Sequence, residues 1–151
     1  DFHLGQMLIV KDDIFIIDFE GEPRRSLAER RHKAPAARDI AGLIRSIDYS
    51  TSAAYQRALQ VAPDESGHLA ARLEAWKADA IARFLSSYRD ALKDDRLWPA
   101  DTGAAARMLD FFLIEKVFYE LEYEMAYRPE WLRVPLDGAL RLLGRVDEAA
   151  P

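Results

Sequence analysis

Apolar residues follow two different periods along this chain, and the change of period divides it. Met7 to Val10 and Ile14 to Ile17 are short apolar runs rich in branched side chains, separated by Lys11-Asp12-Asp13. Such runs on either side of polar turn residues predict a β-hairpin of two short strands. Residues 18–35 are charged and hold Pro23 and Pro35, so they read as a loop, with a short helical piece around Leu27 to Arg31. From Ala36 the period lengthens. Ile40, Leu43, Ile44 and Ile47 recur at three and four, the spacing of one helix face.

Val61 to Gly67 breaks that pattern, and a second helix is predicted over Leu69 to Leu92 with Leu73, Trp76, Ala80, Phe84 and Tyr88 on one stripe. Arg96 to Asp101, marked by Pro99, is another break. A third helix runs from Gly103 to Tyr127 and ends at Arg128-Pro129, because the residue before a proline is pushed out of the helical region. A last helix covers Leu136 to Leu143 and stops near Gly144. The fold class expected is α+β and mostly α-helical: catalytic loops and hairpin over 1–35, a helical subdomain over 36–151. Two strands are marginal without a packing partner, so the helices must cover the hairpin.

Composition narrows the partners. The chain has 151 residues, half of them hydrophobic, and a net charge of −5. That length fits one domain or one lobe of a larger protein. An acidic balance argues against nucleic acid, which asks for a basic face. No apolar run has the length of a membrane span, so no membrane partner is expected. There is no cysteine, which excludes disulfides and thiolate chemistry and fits a cytoplasmic setting. The chain opens on Asp1 rather than methionine, so a preceding segment is expected.

The opening stretch carries the candidate chemistry. Asp1 and Gln6 are five apart, and Asp18 follows the hairpin. A loop aspartate can accept the proton of an incoming hydroxyl, and an amide oxygen and a second aspartate can hold a hard cation such as Mg²⁺. Kinases place a base, an amide ligand at +5 and a metal-binding acid after a hairpin in this way. The bland alternative is an ordinary turn, which also favours aspartate.

The wider wording, Asp1-Phe-His-Leu-Gly-Gln6 followed by Ile16-Ile-Asp18-Phe-Glu20-Gly-Glu22-Pro23, resembles the aminoglycoside-phosphotransferase-like kinases, and among them the bacterial maltokinases. The resemblance continues through Leu27 to Arg31, Arg38 to Gly42, Arg45 to Tyr49, Glu115 to Glu124 and Arg128 to Trp131. It implies the C-terminal lobe of a protein-kinase-like fold. The implied reaction moves the γ-phosphate of ATP onto the anomeric hydroxyl of maltose, giving maltose 1-phosphate, with ATP and Mg²⁺ as cofactors. The implied partners are an N-terminal ATP-binding lobe, absent from this chain, and a trehalose synthase domain or subunit. Without that lobe the chain alone is expected to be inactive.

By the same resemblance Asp1 is the catalytic base, and Gln6 and Asp18 are the metal ligands. His3 and Asp39 support the loop. Glu20, Lys116, Tyr119, Glu120, Tyr123, Glu124 and Trp131 are the substrate-binding candidates. Lys116, Glu120, Tyr123 and Glu124 are spaced by three and four, so they share a helix face. The basic run Arg24, Arg25, Arg30, Arg31 and Lys33 reads as a solvated face paired with Glu22 and Glu29. The alternatives are a non-catalytic helical interaction module and a related small-molecule kinase with an aminoglycoside- or choline-type acceptor.

Overall fold

The computed structural model describes residues 1–22, 25–92 and 95–149; Pro23, Arg24 and Pro151, which entered the sequence reading, lie outside them. The fold is α+β and mostly helical, with one two-stranded sheet.

Strands β1 (Met7–Val10) and β2 (Asp13–Ile16) are antiparallel, with Met7 opposite Ile16 and Val10 opposite Asp13. The second strand starts one residue earlier than its apolar run because the turn is tight. Lys11 takes a positive φ of 58°, the twist a two-residue hairpin loop demands. Both faces of the hairpin are exposed: Ile9, Phe15 and, just beyond, Phe19 all meet solvent.

Helix α1 (Leu27–Arg31) is short and opens on a reciprocal capping box. Ser26 accepts from the Glu29 N–H, and the Glu29 carboxylate accepts from the Ser26 N–H. Helix α2 (Ala37–Val61) is the spine of the molecule. Its Ala37, Ile40, Ala41 and Ile44 pack with Phe112 and Leu113 of α4 (Thr102–Tyr127) to form the core. Helix α3 (Ser66–Ala91) lies along α2 and adds Ile81, Phe84, Leu85 and Tyr88 to the rim of that core.

Three expectations are corrected. The helices leave the hairpin uncovered rather than packing over it. Trp76 is exposed at 54%, and the inward position next to it belongs to Lys77, which is buried. Lys77 can sit there because its ammonium lies 3.1 Å from Asp48 and 2.7 Å from Glu74. The last helix, α5, runs Arg133–Ala149 rather than stopping near Gly144. Gly144 meets no side chain within 4 Å and stays helical, so it lowers helix propensity without ending the helix. Among the described residues no helix is long and apolar enough to cross a membrane.

Candidate active site

The opening loop is tied to three elements. His3 caps a 3-10 turn over Leu4–Gln6, its Nδ1 accepting from the Gly5 N–H at 3.1 Å. Burial and the nearby Lys116 charge lower the His3 pKa, which keeps the ring neutral and able to accept. Gln6 is buried: its amide donates to the Asp18 carbonyl at 3.0 Å, and its Oε1 accepts from the His3 N–H at 3.4 Å. The Ile17 N–H closes the hairpin base on the Gln6 carbonyl at 2.9 Å. On the α2 side, the Leu4 N–H donates to Ser46 Oγ at 3.0 Å, and the Asp1 amino group lies 3.4 Å from Asp39. Gly42 makes this approach possible, since a Cβ there would lie 2.7 Å from the Phe2 carbonyl oxygen.

After the hairpin the chain turns sharply. Asp18 adopts φ 59° and Gly21 φ 84°, the left-handed region that aspartate tolerates and glycine favours. The turn brings Asp18, Glu20 and Gly21 to one end of a cleft of about 530 Å³, beside Asp1 and His3. Lys116, Tyr119, Glu120, Tyr123 and Glu124 of α4 form one wall, and Ser46 and Tyr49 of α2 face them. Three residues singled out in the sequence, Gln6, Trp131 and Asp39, do not line this cleft. Gln6 is turned inward beneath the loop, and Trp131 stacks behind Tyr49 with ring centres 6.1 Å apart. Asp39 lies on the far side of the loop and lines a smaller cleft of about 160 Å³, together with Arg25, Arg38 and Glu115.

The α4 wall is pinned by charges from α2, which sequence spacing did not expose. Arg45 donates through Nε (2.9 Å) and Nη2 (2.7 Å) to Glu120 Oε2, and through Nη1 to Asp48 at 2.5 Å. Burial raises the Glu120 pKa, and the Arg45 charge opposes that rise without cancelling it. Glu124 is almost fully buried. It accepts from the Tyr49 hydroxyl at 2.9 Å and from both Nε and Nη2 of Arg128, at 3.0 and 2.7 Å. Burial, then the Glu120 and Glu124 charges, push the Tyr49 pKa far up, so its hydroxyl stays protonated and donating. Tyr119 and Tyr123 stack along the wall at 6.4 Å.

Lys116 spans the two ends. Its ammonium lies 2.6 Å from Glu22 and 3.2 Å from Asp1, and 4.8 Å from the Tyr119 ring centre. Arg25 pairs with Glu22, as the sequence reading expected, and is also drawn inward to Glu115 at 3.1 Å, where Arg38 joins at 3.0 Å. Burial raises the Glu22 pKa, but Lys116 and Arg25 more than reverse it, so this carboxyl titrates below its usual range.

No family model matches the chain. It is 32% identical over 135 residues to a glucosamine kinase of Streptacidiphilus jiangxiensis, a match covering 89% of this chain and 28% of that protein. A glucosamine kinase of Mycolicibacterium smegmatis is 30% identical over 145 residues, covering 95% of this chain and 33% of the relative. A solved glucosamine kinase in complex with glucosamine, ADP and inorganic phosphate superposes with a TM-score of 0.66 at 27% identity, over 99% of this chain and 32% of that one. The chain therefore spans about a third of the length of the relatives it matches.

These matches overturn the maltokinase resemblance and the protein-kinase-like lobe it implied. Maltose as acceptor, maltose 1-phosphate as product and a trehalose synthase partner fall with it. The physical reason lies in what the quoted motifs encode. The motifs quoted for it lie in the opening loop and just after the hairpin, and such residue types carry no information about an acceptor's shape. The walls of the cleft are built by α2 and α4 together.

Proposed function

We propose that this chain is the acceptor-side portion of an ATP-dependent sugar kinase whose acceptor is an amino sugar of the glucosamine type. The observation that carries the reading is the single cleft joining Asp1, Asp18 and Glu20 at one end to a tyrosine- and carboxylate-lined wall at the other. Asp1 is placed to accept the proton of the sugar hydroxyl as it attacks the γ-phosphate. The stacked Tyr119 and Tyr123 suit the C–H face of a sugar ring. Glu120 commits Oε2 to Arg45, so Oε1 is the atom it offers to a hydroxyl or an ammonium. An ammonium suits a cleft that also holds Asp1, Asp18, Glu20 and Glu124.

Phosphoryl transfer with ATP calls for a divalent cation to neutralise phosphate charge. Among the described residues no three His, Cys, Asp or Glu side chains could hold a metal by themselves. That fits Mg²⁺, which takes one or two carboxylates and completes its shell with phosphate oxygens and water. Asp18 would be the main ligand, with Glu20 beside it. Gln6 acts from behind, holding the Asp18 carbonyl rather than the ion.

The nucleotide cradle belongs to a further lobe. The chain has no glycine-rich phosphate loop, and its relatives are about three times as long. The exposed apolar hairpin, with Ile9, Phe15 and Phe19 outward, is the surface such a lobe would cover. The cytoplasm, where ATP is available, is the compartment we assign. The test is ADP release by the whole protein with Mg²⁺-ATP and glucosamine, set against glucose and N-acetylglucosamine. Turnover is expected with glucosamine. No ADP release above the sugar-free rate would overturn the reading.

A further inference from the structure

We infer that Lys116 is a positioning residue for Asp1, held for that task by Glu22, rather than a sugar contact. The inference rests on the kinase reading above and specifies how the base of that site is held. Among the described residues Lys116 is the one hydrogen-bond donor to the Asp1 carboxylate, at 3.2 Å. The other ties of this loop run through the Asp1 amino group, backbone N–H groups, the His3 ring and the Gln6 amide, and none of them engages the Asp1 carboxylate, so without Lys116 it has no fixed direction.

Lys116 in turn cannot drift. Its stronger contact, at 2.6 Å, is to Glu22, and its side chain is only 18% exposed. Glu22 is anchored by Arg25, and Arg25 by Glu115, which also accepts from Arg38. The Asp1 carboxylate is thus the end of a ladder of alternating charges that begins on α2 and the loop before it. Lys116 has three donors; two are committed to carboxylates, and the ammonium packs against the Tyr119 ring. One helical turn on from Lys116 is Glu120 of the sugar wall. The same rigid helix therefore sets the base and the acceptor wall in a fixed register. That register matters because phosphoryl transfer depends on positioning and electrostatics more than on covalent chemistry.

The experiment uses the whole protein, assayed for ADP release with Mg²⁺-ATP and glucosamine. Lys116→Met is expected to lower kcat about a hundredfold, the order that a ~1 Å misplacement costs, while both KM values stay within about threefold. Lys116→Arg keeps a cation between the two carboxylates and is expected to regain about tenfold of that loss. Glu22→Gln should lower kcat in the same direction, and combining it with Lys116→Met should cost far less than the product of the two effects. Melting curves confirm that each variant is folded, and Lys116→Gln replaces the methionine variant if that one is not. A folded Lys116→Met enzyme with unchanged kcat overturns the inference. So does a loss confined to the glucosamine KM, which would make Lys116 a sugar contact. Fully multiplicative effects of Lys116→Met and Glu22→Gln would overturn it too. A wild-type enzyme that phosphorylates no sugar overturns the kinase reading itself, and is distinguished by appearing before any substitution is made.

Discussion

Gly138 offers a sharp test of how the acceptor wall is built. It lies on α5, and a Cβ placed there would sit 2.3 Å from Arg45 Nη1 and 2.8 Å from Cζ. A flexible side chain would ordinarily step aside at little cost, but Arg45 is 2% exposed and bonded to Glu120 and Asp48. Overpacking a tight site costs about 1–3 kcal/mol. Swinging Arg45 away would leave Glu120 buried without its cation, a loss of about 3–5 kcal/mol. Against this, replacing a helical glycine by alanine gains about 1 kcal/mol of propensity. The cheaper route decides, so Gly138→Ala should destabilise by up to about 2 kcal/mol net.

Gly144 on the same helix is the control, since nothing lies within 4 Å of its would-be Cβ. Gly144→Ala should stabilise by up to about 1 kcal/mol. For a chain of this size the two variants should melt about 2–12 °C apart, with Gly144→Ala the higher. Thermal melting and urea titration read this directly. If Gly138→Ala is as stable as Gly144→Ala, Arg45 is not pinned, and the account of the wall fails.

Four further outcomes are expected. Asp18→Asn removes the main carboxylate for the cation while keeping its shape, so transfer should fall at least about a hundredfold in a folded protein; activity within about tenfold of wild type refutes the assignment. Glu120→Gln should raise KM for glucosamine much more than KM for ATP, and Tyr123→Phe should act the same way but more weakly; equal effects on both substrates would make the wall structural. Glu22 titrates below the ordinary 4.5 because Lys116 and Arg25 outweigh its burial. A carboxyl depressed on folding contributes stability above its unfolded pKa and loses it as pH falls through the folded value. Wild type should therefore lose melting temperature more steeply than Glu22→Gln as pH drops below about 4.5, and parallel curves would contradict the pairing. Gly42→Ala should displace the opening loop from α2 and cut kcat before it unfolds the chain, because the clash is with the backbone oxygen of Phe2; unchanged kcat would show that the loop does not rest there.

The helices were legible wherever apolar residues face one way. Ile40, Leu43, Ile44 and Ile47 named the inner face of α2, and all four are buried. Reading failed where a polar residue holds an inward position. Lys77 occupies the buried site beside Trp76 because Asp48, one helix away, supplies the countercharge. Pattern along one segment cannot reveal a partner 29 positions earlier. The end of α5 was misplaced for the opposite reason: glycine was read as a stop, yet Gly144 has neither the left-handed turn nor the capping contact that ends a helix.

The site divides along the same line. Asp1, Gln6 and Asp18 lie within one short stretch, so spacing alone suggested phosphate chemistry. The acceptor wall depends on pairs 75 residues apart, Arg45 with Glu120 and Tyr49 with Glu124. Each wall acid does two jobs. Glu120 lines the cleft and neutralises a buried guanidinium; Glu124 lines it and holds Tyr49 and Arg128. Exchanging such a wall residue singly is costly, because its partner on α2 loses a bond: Tyr49 its acceptor, or Arg45 one of its two carboxylates. On the proposed reading, changing the acceptor would require α2 and α4 to change together, while the phosphate end could stay as it is. Two kinases can therefore share the wording around Asp1 and Asp18 and accept different sugars.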